Sequence, residues 1–122
     1  MFVYVMAQQP LVQGGDISLL KIGVANNPMK RLGQLQTGNP QPMEIIATSP
    51  AYDPHEARAI ERLIHGILDE FRAKGEWFHF RRTEAVKLLE FLSNFDLSGE
   101  DADAAEQRGL LIISGIREAG RP

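Results

Sequence analysis

The chain has 122 residues, no cysteine, 43% hydrophobic and 24% charged residues, and a formal net charge of −3. That is the size of one domain with a real core. The composition excludes wholesale disorder, and the absence of cysteine excludes a disulfide scaffold, a thiolate zinc site and a thiol nucleophile. No run of 18 apolar residues occurs, so no membrane association is expected and the protein is expected to be cytoplasmic. Residues 1–95 carry ten basic and ten acidic side chains, whereas residues 96–122 carry three and six. A nucleic-acid role must then rest on a local patch, because binding to phosphates works by cations displacing counterions.

In chain order, the N-terminus lacks a basic region and reads as a strand rather than a signal peptide. Phe2–Ala7 is β-branched and aromatic, as strands prefer. Pro10 and Gly14-Gly15 punctuate a loop, and Ser18–Val24 reads as a second strand in an antiparallel hairpin. Asn27-Pro28 is a cap followed by a proline at the first helical position, predicting a short helix over Met29–Leu35. Met43–Thr48 is a third strand. Asp53-Pro54-His55-Glu56 combines an N-cap, a first-turn proline and a glutamate three residues after the cap. The helix it starts is expected to run to about Ala73, with Gly75 as its stop. Glu76–Phe80 is a short aromatic strand or docking segment, and Thr83–Phe95 is a last helix with Thr83 as cap. The expected fold is α+β, a small central antiparallel sheet of three or more strands flanked by helices, over residues 1–95. Residues 96–122 divide into an acidic linker and the apolar segment Gly109–Ile116. That segment suits extra core, an oligomer contact or a protein partner.

On the long helix, Ala57, Ile60, Ile64, Ile67, Leu68 and Phe71 form one apolar stripe at helical spacing. Glu61 falls inside that arc, with His65 one turn later. A carboxylate there is costly to bury without a cation. From the residues alone, Glu61 pairs with His65, serves Arg31 structurally, or holds a metal. Zinc would need two more ligands, and spacing does not supply His55 or His79. One carboxylate with waters suits Mg²⁺.

Four segments in order carry a family resemblance. They are Val3-Tyr4-Val5, then Lys21-Ile22-Gly23-Val24-Ala25-Asn26-Asn27-Pro28-Met29-Lys30-Arg31-Leu32, then Glu61-Arg62-Leu63-Ile64-His65 followed by Gly75-Glu76-Trp77-Phe78. Together they resemble the GIY-YIG nuclease superfamily over about residues 2–80. The closer likeness is to the divergent branch that includes the T5-phage open-reading-frame domain and the meiotically up-regulated fungal gene domain. That branch reads K-I-G-x-[ST/A]-x-[ND]-P-x-x-R-[LI], E-x-x-[LI]-H and G-E-W-F. The resemblance implies a metal-dependent DNA endonuclease. In it Tyr4 is the first-motif tyrosine, Gly23 the close-packing glycine of the second motif, Arg31 the phosphate clamp, and Glu61 the ligand of one Mg²⁺ or Mn²⁺ ion. Lys21 stands where the eponymous members have a second tyrosine.

Phosphodiester hydrolysis needs an activated water, positive charge against the developing anion, and help for the leaving oxygen. In this reading Tyr4 orients or deprotonates the water. Lys21 is a base or a phosphate contact, and His65 is a proton relay beside Glu61. Glu76 joins the metal site or pairs with Arg31. Trp77 and Phe78 are expected to be core aromatics, with a base-stacking platform as the alternative. The competing function is a non-catalytic module on the same fold that binds nucleic acid or a protein, favoured by the neutral charge, the acidic tail and Lys21. No glycine-rich phosphate loop or nucleotide fingerprint supports a small-molecule enzyme.

Overall fold

The computed structural model describes residues 1–93. Its elements are β1 (Phe2–Gln8), β2 (Ile17–Ala25), α1 (Pro28–Thr37), β3 (Met43–Thr48), α2 (Pro54–Ile67), a 3₁₀ turn (Asp69–Phe71), β4 (Arg72–Lys74), β5 (Trp77–Arg81) and α3 (Arg82–Ser93). The strands form one antiparallel five-stranded sheet in the order β3-β1-β2-β5-β4. The α+β expectation therefore holds, with one strand more than the sequence reading assigned. The tail expectations for residues 96–122, including a contact through 109–116, lie outside the described residues.

Strand alternation sends side chains to two different faces. Val3, Val5, Ala7, Leu20, Ile22, Phe78 and Phe80 face α2 and α3, whose Ala57, Ile60, Ile64, Ile67, Leu68, Ala85, Leu88, Leu89 and Leu92 complete the main core. On the opposite face Tyr4, Met6 and Met43 pack with Leu32 and Leu35 of α1 and with Trp77. Both helix starts expected from Asn-Pro and Asp-Pro are present. Asn27 Oδ1 accepts from the Lys30 N–H at 3.1 Å, and Asp53 Oδ1 accepts from the His55 N–H at 2.6 Å. Caps of this kind contribute about 1 kcal/mol each.

Three expectations are corrected. The long helix stops at Ile67 rather than near Ala73. Leu68 is buried in the main core, and the chain leaves it through the 3₁₀ turn into β4. Phe71 consequently packs on Phe80, ring centroids 4.8 Å apart, from outside the helix. Gly75 is not a helix stop. It takes φ +57° between Lys74 and Trp77, which pair across the hairpin. Glycine is favoured at the first position of such a two-residue turn, where L side chains are strained. Finally, α3 begins at Arg82, and Thr83 is not its cap. Asp16, from the β1–β2 loop, accepts from the Thr83 N–H at 3.2 Å and from its hydroxyl at 2.5 Å.

Candidate functional site

The face carrying α1 is where the polar side chains gather. Tyr4 lies opposite Gly23 in the β1–β2 register. A Cβ added at Gly23 would lie 2.6 Å from Tyr4 Oη and 2.8 Å from Cζ, so the tyrosine ring covers the glycine and leaves no room for a side chain there. Tyr4 is 1% exposed. Burial raises its hydroxyl pKa above the usual phenol value; Arg31 opposes this by hydrogen bonding to the hydroxyl and by its charge, while the charges of Glu76 and Glu61 add to the rise. Arg31 itself is exposed on the first turns of α1, where its backbone N–H bonds Asn27 O at 3.1 Å and its guanidinium reaches Gln34 Oε1 at 3.5 Å.

Two residues before Gly23, Lys21 points to the same face. Its side chain is 9% exposed, its Nζ lies 2.9 Å from Glu76 Oε2, and the Glu76 side chain is 43% exposed. The ammonium also lies 5.5 Å from the centre of the Trp77 ring. Glu76 occupies the second position of the β4–β5 turn, so the hairpin the sequence reading missed is what delivers it. Its backbone carbonyl accepts from the Ile22 N–H at 3.2 Å, which pins the turn against β2.

β5 begins opposite Lys21, so the paired register ends there and β2 runs on past it. His65 of α2 fills the first vacant bonding position. Its Nε2 lies 2.8 Å from Ile22 O, and its ring sits 5.2 Å from that of Phe78. A carbonyl oxygen only accepts, so Nε2 carries the proton of this hydrogen bond. One turn earlier on α2, Glu61 is half-buried. Burial raises its carboxyl pKa, and the nearby Glu76 charge raises it further; His65, Lys21 and Arg58 pull it back down.

Tyr4, Lys21, Arg31, Glu61 and His65 thus belong to one electrostatic neighbourhood built from β1, β2, α1 and α2. Glu76 lies in it too, paired with Lys21 and not with Arg31. Arg31 meets Tyr4 rather than serving Glu61. Arg58, exposed on α2 three residues before Glu61, is a member as well. The two aromatics divide. Phe78 is fully buried in the main core, and Trp77 lies half-buried on the site face under Lys21. His55 and His79 are exposed, and among the described residues no three His, Asp or Glu side chains group closely enough to cage a metal ion. The donor set fits zinc poorly. A half-buried carboxylate under the repulsion of a second one fits a hard cation that keeps most of its water.

An antiparallel five-stranded sheet with helices on both faces and a buried tyrosine packed over a glycine makes this a small α+β domain. The model of the T5orf172 domain matches residues 1–93, and the chain belongs to that family, a nuclease-associated one with GIY-YIG-like character. Nothing among the curated proteins or the solved structures matches the chain. The family makes this a nuclease-like or DNA-binding domain. No helix among the described residues is long and apolar enough to cross a membrane.

Proposed function

We propose that this domain is a GIY-YIG-type endonuclease that cleaves DNA phosphodiester bonds with one Mg²⁺ or Mn²⁺ ion. The single observation that carries the reading is the buried Tyr4 ring packed over Gly23, where a Cβ would lie 2.6 Å from its hydroxyl, in a chain of a nuclease-associated family. A guanidinium exposed to solvent beside a buried, protonated phenol is suited to receive a phosphate oxygen, because its fork matches two oxygens at once. Glu61 would hold the ion, whose carboxylate burial and like-charge repulsion both favour a bound cation. When bound, the ion would supply positive charge against the anion that develops at phosphorus. Tyr4, buried and with its ionisation made harder, orients the phosphate and water by its hydroxyl rather than acting as base. Lys21 contributes a fixed ammonium, and His65 ties α2 to β2 so that Glu61 stays in reach. Arg58, exposed beside Glu61 on α2, would be available to a neighbouring phosphate.

The test is nicking of supercoiled plasmid with Mg²⁺ or Mn²⁺, wild type beside Glu61→Ala and Arg31→Ala. Cleavage by the wild type that both substitutions abolish is the expected result. One feature favours the alternative, a module that binds DNA or a protein without cutting: the Lys21 charge is already met by Glu76. Absence of wild-type cleavage together with retention of DNA at low salt would establish that alternative.

A further inference from the structure

Only one side of α1 is explained by the fold. Leu32 and Leu35 turn inward and pack with Tyr4, Met6, Met43 and Trp77. Met29, Lys30, Gly33, Gln34 and Thr37 recur at helical spacing on the other side, and all of them are exposed. Gly33 is the anomaly among them. It lies in the interior of a ten-residue helix, where glycine is the least favourable residue after proline. Its backbone does not require glycine, because positive φ occurs among the described residues only at Gly14 and Gly75. A Cβ added at Gly33 would meet nothing within 4 Å, whereas one at Gly23 would strike Tyr4. Packing inside the chain therefore accounts for Gly23 and not for Gly33. A bare stretch of helix backbone is what allows another molecule to come close.

The chemistry of this side indicates which molecule. Residues 17–43 contain Lys21, Lys30 and Arg31 and no acidic residue, in a chain of net charge −3. Lys21 is paired with Glu76, so Lys30 and Arg31 give α1 its positive character. This is the local patch that phosphate binding requires. The two glutamines of the helix divide. Gln36 builds the connection to β3: its Nε2 donates to Asn39 O at 2.9 Å and to Gln41 O at 2.8 Å, and its Oε1 accepts from the Met43 N–H at 2.8 Å. Gln34 is met by the Arg31 guanidinium at 3.5 Å, a contact at the limit of hydrogen bonding. Its amide can turn to a base edge, and an α-helix fits the major groove. The Asn27 cap at one end and the Gln36 bonds at the other hold the helix, so its outer side is presented rigidly.

We propose that the outer side of α1 seats duplex DNA. Gly33 lets the duplex approach the helix backbone, Lys30 contacts a phosphate and Gln34 reads a base edge. Arg31 lies at the border of this side by helical spacing, so a duplex seated there runs past its guanidinium. The assignment rests on the reading of the domain as DNA-directed and adds to it the face that binds.

The experiment uses the full chain and a labelled duplex of mixed sequence, without divalent metal so that no strand is cut. Fluorescence anisotropy over a salt series gives the affinity, with thermal midpoint, plasmid nicking and sedimentation measured in parallel. Gly33→Leu should weaken binding about tenfold or more and raise the thermal midpoint by a few degrees, since leucine favours helix and the space around it is open. Lys30→Ala should reduce the slope of log affinity against log salt by about one. Gln34→Ala should weaken binding about threefold or more at an unchanged slope. Lys87→Ala, which removes a cation from α3 on the far side of the sheet, should alter neither. Wild-type binding that persists within twofold in both Gly33→Leu and Lys30→Ala would reject this face and leave the DNA reading standing. An equal loss in Lys87→Ala would reject it as a general effect of charge, and a lowered midpoint in Gly33→Leu would make the glycine structural. Absence of both binding and nicking in the wild type would remove the DNA reading and the proposal with it. In that case a wild-type dimer that Gly33→Leu converts to a monomer would assign the face to a second copy of the chain.

Discussion

The two faces of the sheet are built from the same strands and do opposite work. Toward α2 and α3, β1 and β2 present Val3, Val5, Ala7, Leu20 and Ile22, sealed under two amphipathic helices. One residue out of phase they present Tyr4, Lys21 and Gly23 to a face covered in part by the short helix α1, which has no fully buried residue of its own. The difference shows that a small domain concentrates its apolar burial on one side so that the other can hold charges. A buried lysine and a half-buried glutamate each cost stability, and the opposite face offsets them.

Breaking the sealed face should have the largest effect. Leu88→Ala should lower unfolding free energy by about 3 kcal/mol through lost burial and a residual cavity, read by urea denaturation. Next is the polar face. Arg31→Ala should cut cleavage at least a hundredfold, or about 2.7 kcal/mol in transition-state terms, while moving the thermal midpoint little, since Arg31 is exposed. A comparable loss of stability in that variant would erase the distinction between the faces. Gly23→Ala joins the two, because its Cβ would sit 2.6 Å from Tyr4 Oη. Shifting that ring should cost about 1–3 kcal/mol and also reduce cleavage. Asp53→Ala, at the start of α2, should cost about 1 kcal/mol.

The smallest effect carries the most information about sign. Burial, followed by the Glu76 charge, raises the Glu61 pKa in the fold. A carboxyl whose folded pKa is raised holds its proton longer in the native state than in the unfolded one. Stability from this group is present below the unfolded value and is lost as pH rises through the folded value. At neutral pH the ionised Glu61 is therefore a net cost. Glu61→Gln should raise the thermal midpoint at pH 7 by about 2 °C and show no gain at pH 3, and scanning calorimetry at the two pH values checks it. Added Mg²⁺ should stabilise the wild type and not this variant. The Tyr4 hydroxyl, also raised by burial, adds a loss of stability once pH climbs past about 10.

Local signals made most of the fold legible. β1, β2 and β3 are runs of β-branched residues, and both Asn-Pro and Asp-Pro mark helix starts that depend on side chains within three residues. What escaped was either exposed or remote. β4 is three residues, all exposed, with no alternation to read. Gly75 was read as a helix end and Glu76 as the start of an aromatic strand, although a glycine-first two-residue turn between Lys74 and Trp77 also carries a hairpin signature. The cap of α3 comes from Asp16, 67 residues before Thr83. At the site, Tyr4, Lys21, Arg31, Glu61 and His65 were named through the resemblance, since periodicity singles out Glu61 alone as misplaced. The partner of Lys21 is 55 residues distant in the chain, and no spacing rule reaches that far.

Ile22 donates its N–H to Glu76 O and accepts from His65 through its carbonyl. One residue of β2 thus joins the helix that brings Glu61 to the turn that brings Glu76. A growing chain that has released only its first 50 residues holds Tyr4, Lys21 and Arg31 but neither carboxylate. The cluster is complete only when the last hairpin closes, so its assembly and the completion of the sheet are one event.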